Sequence, residues 1–279
     1  MLRKIRSKYI TNIIFDYLQL NLRLKIIKYT KKLQNLISIK KSDYKEYSQI
    51  IIEIMPVSDE SLLSEKNNIF FNYIKNTKKK EHYHIYFNNN FNNEIFRNYF
   101  DKNEKIEKIK ICLDNNITSF CDLFNGCKII EEINFINFKR KNITNMDSLF
   151  SGCNSLTKIN FNDFNTENVT DMNHMFFQCF FLRELDLSKF NTKKVTNMKR
   201  MFFECRSLDN LIFGENFLVN NVKDLSYMFC KCYYLNDLDI SNFVFNSKVD
   251  MSLMFKDCSK KLIKRIKEQN KNIKDNAFR

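Results

Sequence analysis

The residues of this chain that could do chemistry are few and scattered. Carboxylates recur at regular spacing, among them Glu132, Glu184, Asp186, Asp237 and Asp239, but they follow a repeat and do not converge on one point. His82 and His84 stand two apart, which puts both on one face of a strand. That spacing suits a metal ion, yet no carboxylate or third histidine is tied to them in sequence. Cys230-x-Cys232 could open a metal site, but no second ligand pair stands near it. His174 is the lone histidine of the repeated region. No Ser/His/Asp set, phosphate-cradling loop or metal quartet can be assembled, and 3 Gly leave little material for a nucleotide loop. The expectation is a non-enzymatic protein that uses no cofactor and no metal.

What positions these residues is a repeat. Val169 to Asn191, VTDMNHMFFQCFFLRELDLSKFN, is written again on both sides, as ITNMDSLFSGCNSLTKINFNDFN from Ile143 and VTNMKRMFFECRSLDNLIF from Val195. A marker cysteine falls at Cys127, Cys153, Cys179, Cys205, Cys232 and Cys258, in steps of 26, 26, 26, 27 and 26 residues. A fixed period of this size predicts stacked supersecondary units, none of which can bury its apolar residues alone. Met172, Met175, Phe176 and Cys179 follow a three-and-four spacing, which predicts a short helix in each unit. Leu182, Leu185 and Leu187 follow L-x-x-L-x-L, which predicts a strand, and Phe190 closes the unit. The longer step places an extra residue in Gly214-Glu215-Asn216, read as a bulge or looser turn in a variable loop.

The recurring V-T-x-M-x-x-M-F-x-x-C-x-x-L-x-x-L-D-L-S-x-F-N-T resembles the BspA-like leucine-rich-repeat family over about residues 106–258. The resemblance implies an α/β leucine-rich-repeat solenoid, about five 26-residue repeats with partial ends, used for binding. Ahead of it, Ile10, Ile13, Ile14, Tyr17 and Leu18, then Leu22, Ile26, Tyr29 and Leu33, recur at helical spacing and predict a small helical bundle over residues 1–48. The order of this segment is similar to an F-box, which implies docking to a ubiquitin-ligase adaptor through Ile14, Phe15, Leu18, Leu22 and Ile26. It departs from that family in having no Pro at the first helix and no Trp in the last. A plain helical cap is the other reading of residues 1–48.

Residues 49–104 are read as cap strands with a polar loop. Ile50–Met55 and His82–Phe87 are the strands, beside a zeroth repeat strand within residues 105–113. The array then runs over residues 105–258. Residues 259–279 are read as a basic capping helix with Leu262, Ile263 and Ile266 as its apolar edge, and Asp275 to Arg279 as a frayed end.

The formal charge of +14 is uneven. Residues 1–50 hold 12 Lys/Arg against 3 acids and residues 259–279 hold 8 against 2, so the array itself is near neutral. Basic ends make nucleic acid a conceivable but unfavoured partner, because no RNA- or DNA-reading motif appears. Six of the 9 cysteines share one apolar repeat position and read as reduced core thiols. With no cleavage site after the first basic residues and no long apolar run, the expected protein is an intracellular, cytoplasmic monomer without a transmembrane segment. The sequons at Asn116, Asn142 and Asn168 are by-products of the repeat junction, and would matter only if the chain were a surface adhesin, the alternative reading.

Function is expected on the face where residues between the L-x-L positions project. Its columns contain Asn134, Lys158, Asn160, Glu184, Asp186, Asn210, Ile212, Asp237 and Asp239. Lysines gather toward one end and carboxylates toward the other. A protein partner on this face is the leading expectation.

Overall fold

The computed structural model describes residues 49–72, 82–114, 117–138 and 141–279. Ile50–Arg279 forms one compact unit and carries all the described elements. The helical bundle expected over residues 1–48, with Ile14, Phe15, Leu18, Leu22 and Ile26, lies outside the described residues.

The strands are β1 (Ile50–Pro56), β2 (Asn68–Ile69), β3 (Tyr83–Phe87), β4 (Tyr99–Phe100), β5 (Ile109–Leu113), β6 (Ile130–Asn137), β7 (Lys158–Asn160), β8 (Glu184–Leu187) and β9 (Asn210–Phe213). Among the described residues the one α-helix is α1 (Lys260–Gln269). A mixed five-stranded sheet runs in the order β3-β5-β1-β6-β7, and β2-β4 and β8-β9 form two-stranded sheets. The expected α/β leucine-rich-repeat solenoid is therefore corrected. The architecture is mainly β, and among the described residues no repeat contains a helix.

The reason lies in the backbone of the segment read as helical. In each unit two residues adopt left-handed φ, between 52° and 72°: Asp122 and Gly126, Ser148 and Gly152, His174 and Gln178, Arg200 and Glu204, Tyr227 and Lys231, Leu253 and Asp257. A right-handed helix cannot pass through such residues, and each non-glycine one costs roughly 1–2 kcal/mol. The amides repay that strain across units. Those of Met172, His174, Phe176 and Gln178 donate to the carbonyls of Asn197, Lys199, Met201 and Phe203 in the next unit at 2.8–3.0 Å. Those of Met175, Phe177 and Cys179 close turns onto Met172, His174 and Phe176. Half the donors stitch neighbours together and half shape the unit. Met172, Met175, Phe176 and Cys179 all face inward, fully buried, so successive turns reproduce the apolar spacing of a helix without being one.

Two side-chain columns fill the interior. Phe124, Phe150, Phe176, Phe202, Phe229 and Phe255 stack at 5.3–5.8 Å between ring centroids. Beside them Cys153, Cys179, Cys205, Cys232 and Cys258 donate S–H to the carbonyls of Phe124, Phe150, Phe176, Phe202 and Phe229 at 3.0–3.2 Å. Burial pushes these thiols up, Cys205 and Cys258 to about 12, so they remain protonated donors. A thiol suits the position because it is small, apolar and still able to donate to a carbonyl.

β1 and β3 both lie beside β5, each antiparallel to it. β5 does not continue the array. β1 lies between β5 and β6 and is antiparallel to both, with Ile52 opposite Ile111 on one side and Phe135 on the other. The alternation Ile50, Ile52 and Ile54, all buried, gives β1 one apolar face to place over the core. Parallel stacking begins at β6–β7, where Ile133 faces Ile159.

At the other end the chain caps itself. Ser259 caps α1 by accepting from the Leu262 amide, and Leu262 and Ile266 are buried. Gln269 satisfies the exposed strand edge by donating to the Leu238 carbonyl and accepting from the Ile240 amide. The carbonyls of Asn276 and Ala277 accept from Leu253 and Phe255, and Phe278 stacks on Phe255 at 5.7 Å. Asp275 to Arg279 therefore do not fray. They stand in for the next unit, supplying both its carbonyls and its ring.

Two substitutions test this packing. Cys179→Asp, a carboxylate among fully buried side chains, should cost several kcal/mol (about 3 or more) and lower Tm sharply. Lys189→Ala, at an exposed position, should shift Tm little; equal melting of the two variants would refute the packing. Gly214 meets the preceding unit closely, since a Cβ there would lie 1.9 Å from the Ser188 carbonyl oxygen. Gly214→Ala should cost roughly 1–3 kcal/mol in urea unfolding.

Candidate protein-binding face

The strand face is set by alternation within each unit. Leu185 and Leu187 are buried while Glu184 and Asp186 project outward. Parallel pairing then lines up equivalent residues one period apart. Asn134 stands beside Asn160 and Glu132 beside Lys158 in the mixed sheet. Glu184 stands beside Asn210 and Asp186 beside Ile212 in the second sheet, and Asn210 bridges to Asp237.

The expected residues thus fall into two groups. Asn134, Lys158 and Asn160 belong to β6 and β7, where the Asn160 side-chain amide donates to Asn134 Oδ1 and Lys158 Nζ lies 3.9 Å from Glu132. Glu184, Asp186, Asn210, Ile212, Asp237 and Asp239 belong to β8, β9 and the next unit. An open groove of about 650 Å³ lies here, lined by Asn210, Ile212, Phe213, Asp237, Asp239 and Ser241 among others. β8 and β9 pair at four successive positions, whereas β9 meets the following unit only at Asn210–Asp237. The groove opens where that ladder stops, beside the extra residue of the longer repeat step.

Several of these polar residues also shape the chain. Asp186 Oδ1 accepts from the Ser188 amide at 2.8 Å and Asp239 Oδ1 from the Ser241 amide at 2.9 Å. This D-x-S pattern is a local turn signal legible in sequence. The Ser241 amide, together with its hydroxyl, holds the Asp239 carboxyl below the ordinary carboxylate range, so it is charged at neutral pH. Asp237 meets a group that sequence reasoning did not place: Arg265 of α1, whose guanidinium lies 2.8 Å from Asp237 Oδ1.

Sequence reasoning also missed Glu204, which is buried yet charged. Burial alone would raise its pKa, but Lys231 at 2.7 Å, Arg206 at 3.0 Å and Gln178 at 3.2 Å outweigh it and hold the carboxyl below its usual range. These partners come from three successive units. Arg206 in turn covers the Phe180 ring and Lys231 the Phe203 ring. No local motif announces such a cluster, because its members are brought together by the period.

The other chemistry-bearing residues find local partners. His84 Nδ1 lies 2.7 Å from Glu94 and Nε2 lies 3.6 Å from Asp114, so the fold brings two carboxylates to it from farther along the chain. Even so, no group of three His, Cys, Asp or Glu among the described residues could hold a metal ion. His174 sits in a left-handed turn with its ring 5.1 Å from Phe177, and burial lowers its pKa. Burial raises the Cys230 thiol to about 11. The Asn142 and Asn168 amide nitrogens donate to the carbonyls of Ile117 and Lys141 one period back, and Asn116 lies outside the described residues. No described helix is long and apolar enough to cross a membrane.

The Glu204 cluster makes a prediction about acid. A carboxylate with a depressed folded pKa adds stability that is full above its unfolded value, about 4.3, and is lost as pH falls through the folded value. Removing the charge in Glu204→Gln should lower Tm at pH 7 while flattening the loss of Tm below about pH 4.5. Parallel Tm–pH curves for the two proteins would remove Glu204 from the acid response.

A search of curated proteins found no match, and neither did a search of solved structures. The family described as "Mycoplasma protein of unknown function, DUF285" matches residues 92–185 and again 177–277. With more than half of its length matched, and the two matches lying on the repeated units, the chain belongs to the DUF285 family.

Proposed function

We propose that this protein is a non-enzymatic binding array that holds a protein partner on the strand face of its repeats. The observation that carries the reading is the open groove between β9 and Asp237–Ile240, where Asn210, Ile212, Asp237 and Asp239 project from a fully packed interior. Rigid elements that present varied side chains over an accessible groove suit recognition. Ile212 is 45% exposed at the centre of this face, an apolar anchor ringed by polar groups. The carboxylates here are spent on turns and on Arg265 and do not converge on a reacting atom. The BspA-like resemblance of the repeats supports the same reading, since the matched family is associated with BspA-like repeat proteins.

In the sharper form of this proposal, Ile14, Phe15, Leu18, Leu22 and Ile26 dock a ubiquitin-ligase adaptor, and the repeat-bound protein is the substrate. That form rests on the F-box-like order of residues 1–48 alone.

Capture from native cells with the full chain, Ile212→Arg and Phe15→Asp/Leu18→Asp separates the two levels. Ile212→Arg should lose the repeat-bound partner by about tenfold or more, as for a central anchor. Unchanged capture by Ile212→Arg would remove the strand face as the binding surface. Phe15→Asp/Leu18→Asp should lose ligase subunits only; if the parent recovers none, the adaptor reading falls.

A further inference from the structure

We infer that the groove beside β9 takes an extended segment of a partner protein with Lys or Arg at alternate positions, an inference that rests on the binding-face reading above. Three carboxylates, Asp209, Asp237 and Asp239, line it, and no lysine does. The neighbouring unit adds Glu184 and Asp186 on the same face. Arg265 is bound to Asp237, and the exposed Arg183 precedes β8.

Three features fix the kind of partner. Asp237 and Asp239 alternate with the buried Leu238 and Ile240, so both lie on the outer face, and strand geometry spaces such alternate positions by about 6.6 Å. That is also the spacing of alternate side chains in an extended peptide lying alongside. Ile212 offers apolar surface at the same level, where the methylene stem of a lysine can lie while its ammonium reaches a carboxylate. Finally, the groove already accepts a cation from within the chain. Arg265 meets Asp237 at 2.8 Å, yet the Asp237 side chain keeps 72% of its exposure, leaving room for a second cation.

The lysines on the matching face of the mixed sheet repel the same partner and are engaged locally. Lys158 pairs with Glu132, Lys108 pairs with Glu53 at 3.4 Å, and Lys110 covers the Phe91 ring. A basic segment is therefore directed to one end of the face by charge.

The test uses the full chain and two labelled eight-residue peptides, one alternating lysine with serine and one alternating glutamate with serine. Fluorescence anisotropy should show binding of the lysine peptide only, weakening as ionic strength rises from about 0.05 to 0.5 M. Asp237→Asn/Asp239→Asn should weaken it about tenfold, and Asp163→Asn, an exposed change outside the groove, should not. Asp237→Asn alone leaves the Asp239 turn intact and guards against misfolding; it should weaken binding in the same direction. Equal affinity for the parent and both groove variants, or equal binding of the two peptides, would overturn the inference. If Ile212→Arg abolishes capture of the cellular partner but the lysine peptide does not displace it, the partner class is wrong and the binding face stands. If Ile212→Arg leaves capture unchanged, the binding face itself fails.

Discussion

The structure depends on amide donors that reach across the repeat. In a helix every N–H is satisfied four residues back, so a helix can exist with its own hydrogen bonds complete. Here alternate amides of each turn segment point to the next unit, from Phe120 to Asn145, Met146 to Asp171, Met172 to Asn197, and on to Phe255 and Ala277. A unit removed from its neighbours would lose these partners and expose its Phe and Cys. Unit and array are thus formed together. The left-handed residues that aim those amides are tolerated because the neighbour's carbonyls reward them.

The same constraint explains the buried columns. Units held at hydrogen-bonding distance bring equivalent side chains to the spacing of stacked rings, which the Phe124-to-Phe255 column adopts. The thiol column beside it spans the same gap with a weak donor. Both ends of such an array leave amides or carbonyls unpaired, and the chain supplies substitutes. Asn72 donates to the Asp122 and Asn125 carbonyls at the start, and Gln269, Asn276 and Ala277 serve at the finish.

The strand face also changes along the array. Between β6 and β7 the Asn160 side-chain amide pairs with its own equivalent, Asn134. Beside the longer step, β9 and the next unit part after Asn210 and Asp237, and a groove opens; the ladder also breaks between β7 and β8, where the step is regular. Gly214 is part of that local adjustment, lying so near Ser188 that no side chain fits. A residue that reads as loop variation in sequence thus sits beside that groove.

By itself the sequence determined the period, the inward residues and the outward columns, because those depend only on spacing along one chain. Met172, Met175, Phe176, Cys179, Leu185 and Leu187 are buried as their spacing requires. It could not determine that the first half of each unit is a run of turns, since turns and a helix place the same residues inward. That choice depended on where the amides found acceptors, and the acceptors lie 25 residues away, as Phe203 does for Gln178. The insertion of β1 between β5 and β6, the carboxylates around His84, the Glu204 cluster and the approach of Arg265 to Asp237 were likewise decided by tertiary structure. Each joins residues far apart in sequence, and contact between distant residues leaves no local pattern to read.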